Sequence, residues 1–141
     1  MKQRELVRLL LQKAVQNETV VARLLADTGI DDEIIGFHAQ QAVEKALKAW
    51  LAYLGIDYPK IHNLETFMGL LNVHGHSFPD DLAEVNKLTP FATVFRYEAL
   101  PLTAPLDRAD VLRLVQRIIA FVNLQVGEHA EGQRGKNEKP A

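Results

Sequence analysis

Apolar residues recur along most of this chain at three- and four-residue steps, the spacing that lines one face of an α-helix. Val7, Leu10, Leu11, Ala14, Val21, Ala22 and Leu25 make the first such stripe, and Asp27-Thr28-Gly29 ends it, with Gly29 placed for a left-handed C-terminal cap. Asp31 or Asp32 is positioned to cap a second helix over about Glu33 to Leu54, with Ile35, Ala39, Ala42, Ala46, Ala49, Trp50 and Tyr53 on a broad apolar face. Gly55 closes it. Asn63 then caps a short third helix carrying Leu64, Phe67, Met68, Leu70 and Leu71. After a loop from Asn72 to Asp80, Leu82, Val85 and Leu88 resume the period, and Thr89-Pro90 predicts a bend or restart. Pro101 and Pro105 bracket another loop. The last helix spans about Asp107 to Val126, with Val111, Leu114, Val115, Ile118, Ile119 and Val122 inward and Arg108, Arg113 and Arg117 mostly on the other side. No strand alternation and no repeat interrupts this pattern. It predicts one all-α domain over residues 1–127, an up-and-down bundle of about five helices, with a polar, disordered tail over 128–141.

Composition narrows the function classes. At 141 residues, 48% hydrophobic and 24% charged, the chain can bury a core and is ordinary globular material. A formal net charge of -2 supplies no global attraction to nucleic acid or to an anionic membrane, which leaves only a local basic cluster for such binding. The absence of cysteine excludes disulfides and thiolate metal sites. The N-terminus runs straight into a charged amphipathic segment and does not read as a signal peptide, and no apolar run approaches ~20 residues. The expected address is the cytoplasm, with no membrane association.

Candidate chemistry shows as polar residues where packing prefers apolar ones. Glu18 continues the row of Ala14 and Val21, with Asn17 beside it. On the second helix His38, Gln41 and Lys45 fall within about one-sixth of a turn at ~100° per residue, on a stripe shared with Ile34, Ala42, Ala49 and Ala52. Two readings stand side by side. The group is a binding patch in a groove, or Glu18 and Lys45 pair across adjacent helices while His38 bonds locally, because buried polar groups must be satisfied in any case. His74-Gly75-His76 sits on a loop apart from His62, without the carboxylate spacing of a metal motif, so neither metal nor cofactor is expected. Phosphate-binding glycine loops and nucleophile elbows are absent from the sequence.

Three segments carry a resemblance. The run Phe37-His38-Ala39-Gln40-Gln41-Ala42-Val43-Glu44-Lys45-Ala46-Leu47-Lys48-Ala49 resembles the H-x-x-Q-x-x-E-K-x-x-K-A signature of prokaryotic HEPN domains. Lys60-Ile61-His62-Asn63-Leu64 resembles that family's T-H-[DN]-L step, and Phe95-Arg96-Tyr97 its R-Y motif. The resemblance spans about residues 2 to 126. It implies a helical bundle that usually dimerises and serves as the substrate-binding partner of a minimal nucleotidyltransferase, often as a toxin-antitoxin pair. Many relatives of this kind are metal-independent ribonucleases built on an arginine followed, after four to six residues, by a histidine. Here those positions after Arg96 hold Pro101, Leu102 and Thr103, and no other arginine has a histidine at that spacing. Metal-free RNA cleavage needs a phosphate-holding cation and a proton carrier together, so ribonuclease activity is the alternative reading, not the leading one.

The expected site is a groove of Glu18, His38, Gln41, Lys45, His62, Arg96 and Tyr97. In it Arg96 reaches an anion or instead pairs with Glu98 or Glu18, and Tyr97 stacks on a base or donates a hydrogen bond. Any nucleotide or RNA binding is expected to be weak and salt-dependent. A homodimer is expected as well, because Phe37 and Leu51 fall beside Glu44 and Lys48 on the seemingly polar side of the second helix.

Overall fold

The computed structural model describes residues 2–93 and 106–137, with side chains described for 3–92 and 106–127. Arg96 and Tyr97 lie outside the described residues. The elements are α1 (Lys2–Leu24), α2 (Asp32–Leu54), α3 (Leu64–Val73), a 3-10 helix (Asp80–Thr93) and α4 (Arg108–Asn137), an all-α bundle. Among the described side chains the buried stripe of α4 runs from Val111 to Val126, and the helix itself runs on to Asn137.

Helix α2 is the axis. More than half of its residues are buried, on every side of the helix, and α1, α3, α4 and the 3-10 helix all pack against it. A helix that is apolar nearly all round belongs in an interior. Its alanines, Ala39, Ala42, Ala46 and Ala49, are fully buried and leave room for the neighbouring helices. Trp50 meets Phe78 and Phe121 edge-on, at 5.4 and 5.6 Å between ring centroids, which joins α2 to α4 and to the loop after α3.

The helix ends show where local chemistry decided the path. Gly55, at φ 71°, closes α2: its N–H donates to Ala52 O and the Ile56 N–H to Leu51 O, the paired bonds of a left-handed cap. Gly29 does not play that role for α1, contrary to the sequence expectation, because it has no positive φ. Instead the Asp27 carboxylate accepts the Gly29 N–H at 2.9 Å and turns the chain. Asp31 occupies the N-cap position of α2 without a side-chain cap bond. Asn63 does cap α3, accepting from the Thr66 N–H.

Thr89-Pro90 starts no new helix. The 3-10 helix passes through Pro90, and the Thr89 hydroxyl accepts the Leu64 N–H at 3.3 Å, so the residue expected to cap its own segment caps α3. Arg108 also departs from the expected outward face: it is turned into the bundle, whereas Arg113 and Arg117 remain exposed.

Phe91, on the 3-10 helix, lies against Gly36 of α2 so closely that a β-carbon there would overlap the ring. Glycine in a helix costs about 1 kcal/mol relative to alanine. Gly36→Ala is nevertheless expected to destabilise the protein by about 1–2 kcal/mol, since overpacking a close contact outweighs the propensity gain. Adding Phe91→Leu should recover part of that loss. Urea denaturation of the two variants checks this, and a stabilised Gly36→Ala would show that the ring does not sit there.

Candidate functional site

The polar residues of α2 converge on a residue that the groove expectation omitted. Glu44 is fully buried. Its Oε1 accepts from Gln40 Nε2 at 2.9 Å, and its Oε2 takes Lys48 Nζ at 2.9 Å. His62, on the linker before α3, brings its Nδ1 to 3.0 and 3.1 Å from the two carboxylate oxygens. A carboxylate can only accept, so Nδ1 carries the proton and Nε2 is the imidazole nitrogen left over. Gln40 also donates to the His62 carbonyl at 3.2 Å, and Gln41 Nε2 donates to Gln40 Oε1 at 2.7 Å. One helical face of α2 thereby holds the linker by both the backbone and the ring of His62.

Burial pushes the Glu44 carboxyl up, but hydrogen bonds from Gln40, Lys48 and His62 and the charge of Lys48 outweigh it and hold the group below the usual carboxylate range. Lys48 is confined further by the rings of Tyr58 and Phe67, 5.7 and 5.4 Å from its Nζ. Lys45 also approaches Glu44, at 3.7 Å, and its side chain is 26% exposed.

The expected groove is therefore divided. Lys45, Gln41 and His62 belong to the Glu44 cluster. His38 faces α1, where its Nδ1 meets Asn17 Oδ1 at 2.9 Å. This corrects the expectation of a local bond for His38, since the partner is on the neighbouring helix. Burial lowers the His38 pKa below the usual histidine range. Glu18 is half-buried on α1 and makes no ion pair with Lys45, whose carboxylate partner is Glu44. Gln40 and Glu44 were missed because Glu44 beside Lys48 reads as a solvated face, while Lys48 was expected, with Lys45, Lys60 and Arg96, as part of a basic cluster for an anion. The signal lay in their neighbours: Val43, Leu47 and Leu51 surround them, and all three are fully buried. Leu51 is thus core, and of the two residues that suggested a contact surface only Phe37, half-buried against His38, stays partly exposed.

A family model for the HEPN domain matches residues 7–128. This chain belongs to the HEPN domain family. No curated protein and no solved structure matches it. Within this HEPN domain, the residues that resemble the family signature at Gln41, Glu44, Lys45 and Lys48 and the histidine of the linker step meet in one network, while His38 stands apart from it. Among the described residues no helix is long and apolar enough to cross a membrane, and no group of three His, Asp or Glu side chains gathers as a metal would require.

Proposed function

We propose that this HEPN chain is a binding subunit, acting in the cytoplasm beside a minimal nucleotidyltransferase and contributing a groove for a nucleotide or RNA. The observation that supports the reading is the saturation of Glu44. With Gln40, Lys48 and His62 all donating to it, the carboxylate is committed to holding side chains and is not a free base. His38 and His62 are held by partners on different elements, Asn17 on α1 and Glu44 on α2, and no arginine stands four to six residues before either. What this cluster offers outward is cationic and hydrogen-bonding, which suits binding.

Three measurements test it. The isolated protein is expected to leave RNA intact in EDTA, and to retain a nucleotidyltransferase from the same genome when the two are expressed together. RNA and ATP are expected to bind weakly and to weaken as salt rises, with a log–log slope near 0.7 per phosphate contact for single-stranded RNA. Tight binding that ignores salt would contradict a reading based on charge.

One feature favours the alternative, a metal-independent ribonuclease. A carboxylate that fixes Nδ1 of a histidine and leaves Nε2 outward is an arrangement suited to general acid–base work. RNA cleavage that survives EDTA and is abolished by His62→Ala would replace the binding reading with that one. A toxin-antitoxin role and a homodimer belong to the same proposal, and light scattering at micromolar concentration decides the dimer.

A further inference from the structure

The charges around Glu44 do not balance. One carboxylate faces two ammonium groups and an imidazole. Lys48 makes the short contact with Oε2, is 13% exposed, and lies against two aromatic rings, so its charge is matched and its position fixed. Lys45 reaches the same oxygen only at 3.7 Å, beyond hydrogen-bond distance, and is the more exposed of the two. The second positive charge is left over. His62, with its side chain 58% exposed, turns Nδ1 inward to Glu44, and its Nε2 faces away from the carboxylate. Lys45 Nζ and His62 Nδ1 both approach Glu44 Oε2, at 3.7 and 3.1 Å, which brings the ammonium and the imidazole ring to one carboxylate oxygen. Helix α3 begins two residues after His62, so the positive end of its dipole lies beside this linker, with the Leu64 and Thr66 N–H groups already taken by Thr89 and Asn63. Lys60, exposed on the linker, adds a further positive charge, and Glu65, exposed in the first turn of α3, is the opposing one.

We propose that Lys45 and His62 Nε2 form a phosphate-binding site above the buried Glu44, and that this site takes a phosphate group of the nucleotide or RNA. The inference rests on the binding reading above and adds its address. Glu44 is a positioning residue in it: buried and saturated, it fixes the imidazole so that the nitrogen left over meets the ligand. His38 has no part in the site.

The test is an NMR titration of the full chain at low salt with inorganic phosphate and then with ATP, reading the imidazole signals of all the histidines. Saturable shifts at His62 without matching shifts at His38, His74 or His76 are expected. Lys45→Gln should weaken both ligands about ten-fold, the loss of one charge-assisted hydrogen bond. Lys45 makes only the long contact with Glu44, so this variant is expected to melt like wild type. His62→Asn retains an N–H able to reach Glu44 but lacks Nε2, and should weaken binding similarly while preserving the fold. If ATP or RNA binds both variants as tightly as wild type, the phosphate lies elsewhere, and this inference falls while the binding reading stands. If neither phosphate, ATP nor RNA binds wild type at any salt concentration, both fall.

Discussion

Glu44→Ala is expected to destabilise the fold by about 3–5 kcal/mol, the cost of breaking a buried ion pair by deleting one partner. The substitution leaves the Lys48 ammonium in a largely dry setting and strips Gln40 and His62 of their acceptor. Glu44→Gln should cost less, because the amide oxygen still accepts one of these bonds. Converting Gln40, Glu44 and Lys48 together to leucine or methionine is expected to restore much of the stability, since apolar side chains of similar volume often replace a buried ion pair at little cost. Recovery by the triple variant would separate a network kept for holding His62 from one kept for stability. A Glu44→Ala protein as stable as wild type in urea would mean that the carboxylate is not buried and paired as described.

The same cluster sets a pH dependence. The folded pKa of Glu44 lies below its unfolded value, so the unfolded chain binds the proton more tightly. The stabilisation is complete above the unfolded pKa of about 4.3 and disappears as pH falls through the folded value. His38 acts with the same sign at higher pH. Its folded pKa is depressed, so its contribution is complete above about 6.5 and declines as pH falls from there toward the folded value. Acid destabilisation is therefore expected in two stages. Glu44→Gln should shrink the carboxylate stage, to which Asp32, also held below its ordinary range, still contributes, and leave the histidine stage.

The fold was largely legible in the sequence because helical periodicity is a strong local signal and the turns carry their own chemistry. Gly55 and Asn63 act where their residue types suggest, one through a left-handed φ and the other through a side-chain acceptor. Gly29 and Thr89 do not, because each position had a competing partner, a local one at Gly29 and a distant one at Thr89. The Asp27 side chain captured the turn at Gly29, and the Leu64 N–H, 25 residues away from Thr89, captured its hydroxyl. The site was half legible. Gln41, Lys45 and His62 belong to the cluster, whereas His38 shares their stripe on α2 but lies two turns from Lys45, where α1 offers Asn17. Glu44 was passed over because a charged residue beside Lys48 reads as solvated. Only the burial of α2 on all sides, a property of the assembled bundle, makes that carboxylate interior.

Arg108→Ala is expected to cost about 2–4 kcal/mol, although a helix-surface arginine normally contributes little. The guanidinium is 16% exposed and reaches three elements at once. Nη1 donates to Leu24 O at 3.1 Å and Asp27 O at 2.9 Å, Nη2 donates to Ile30 O, and Nε meets Asp32 Oδ1 at 2.8 Å. The first of these carbonyls is at the C-terminus of α1, where a helix leaves unpaired acceptors and welcomes positive charge. Asp32, in the first turn of α2, completes the clamp by accepting the Leu106 N–H at 2.9 Å. That backbone bond, followed by the bond and charge of Arg108, holds the Asp32 carboxyl below its ordinary range despite some desolvation. One residue thus ties the α1–α2 turn to the start of α4. Lysine cannot reproduce the fork, so Arg108→Lys should recover little. Arg113→Ala is the control: that side chain is 67% exposed and, among the described residues, pairs with Asp110 three residues earlier, and its loss is expected to stay within about 0.5 kcal/mol. Urea denaturation reads the global cost, and limited proteolysis between residues 25 and 31 reads the local one. If Arg108→Ala matches Arg113→Ala in both, the α1–α2 turn is held by packing alone and the clamp is incidental.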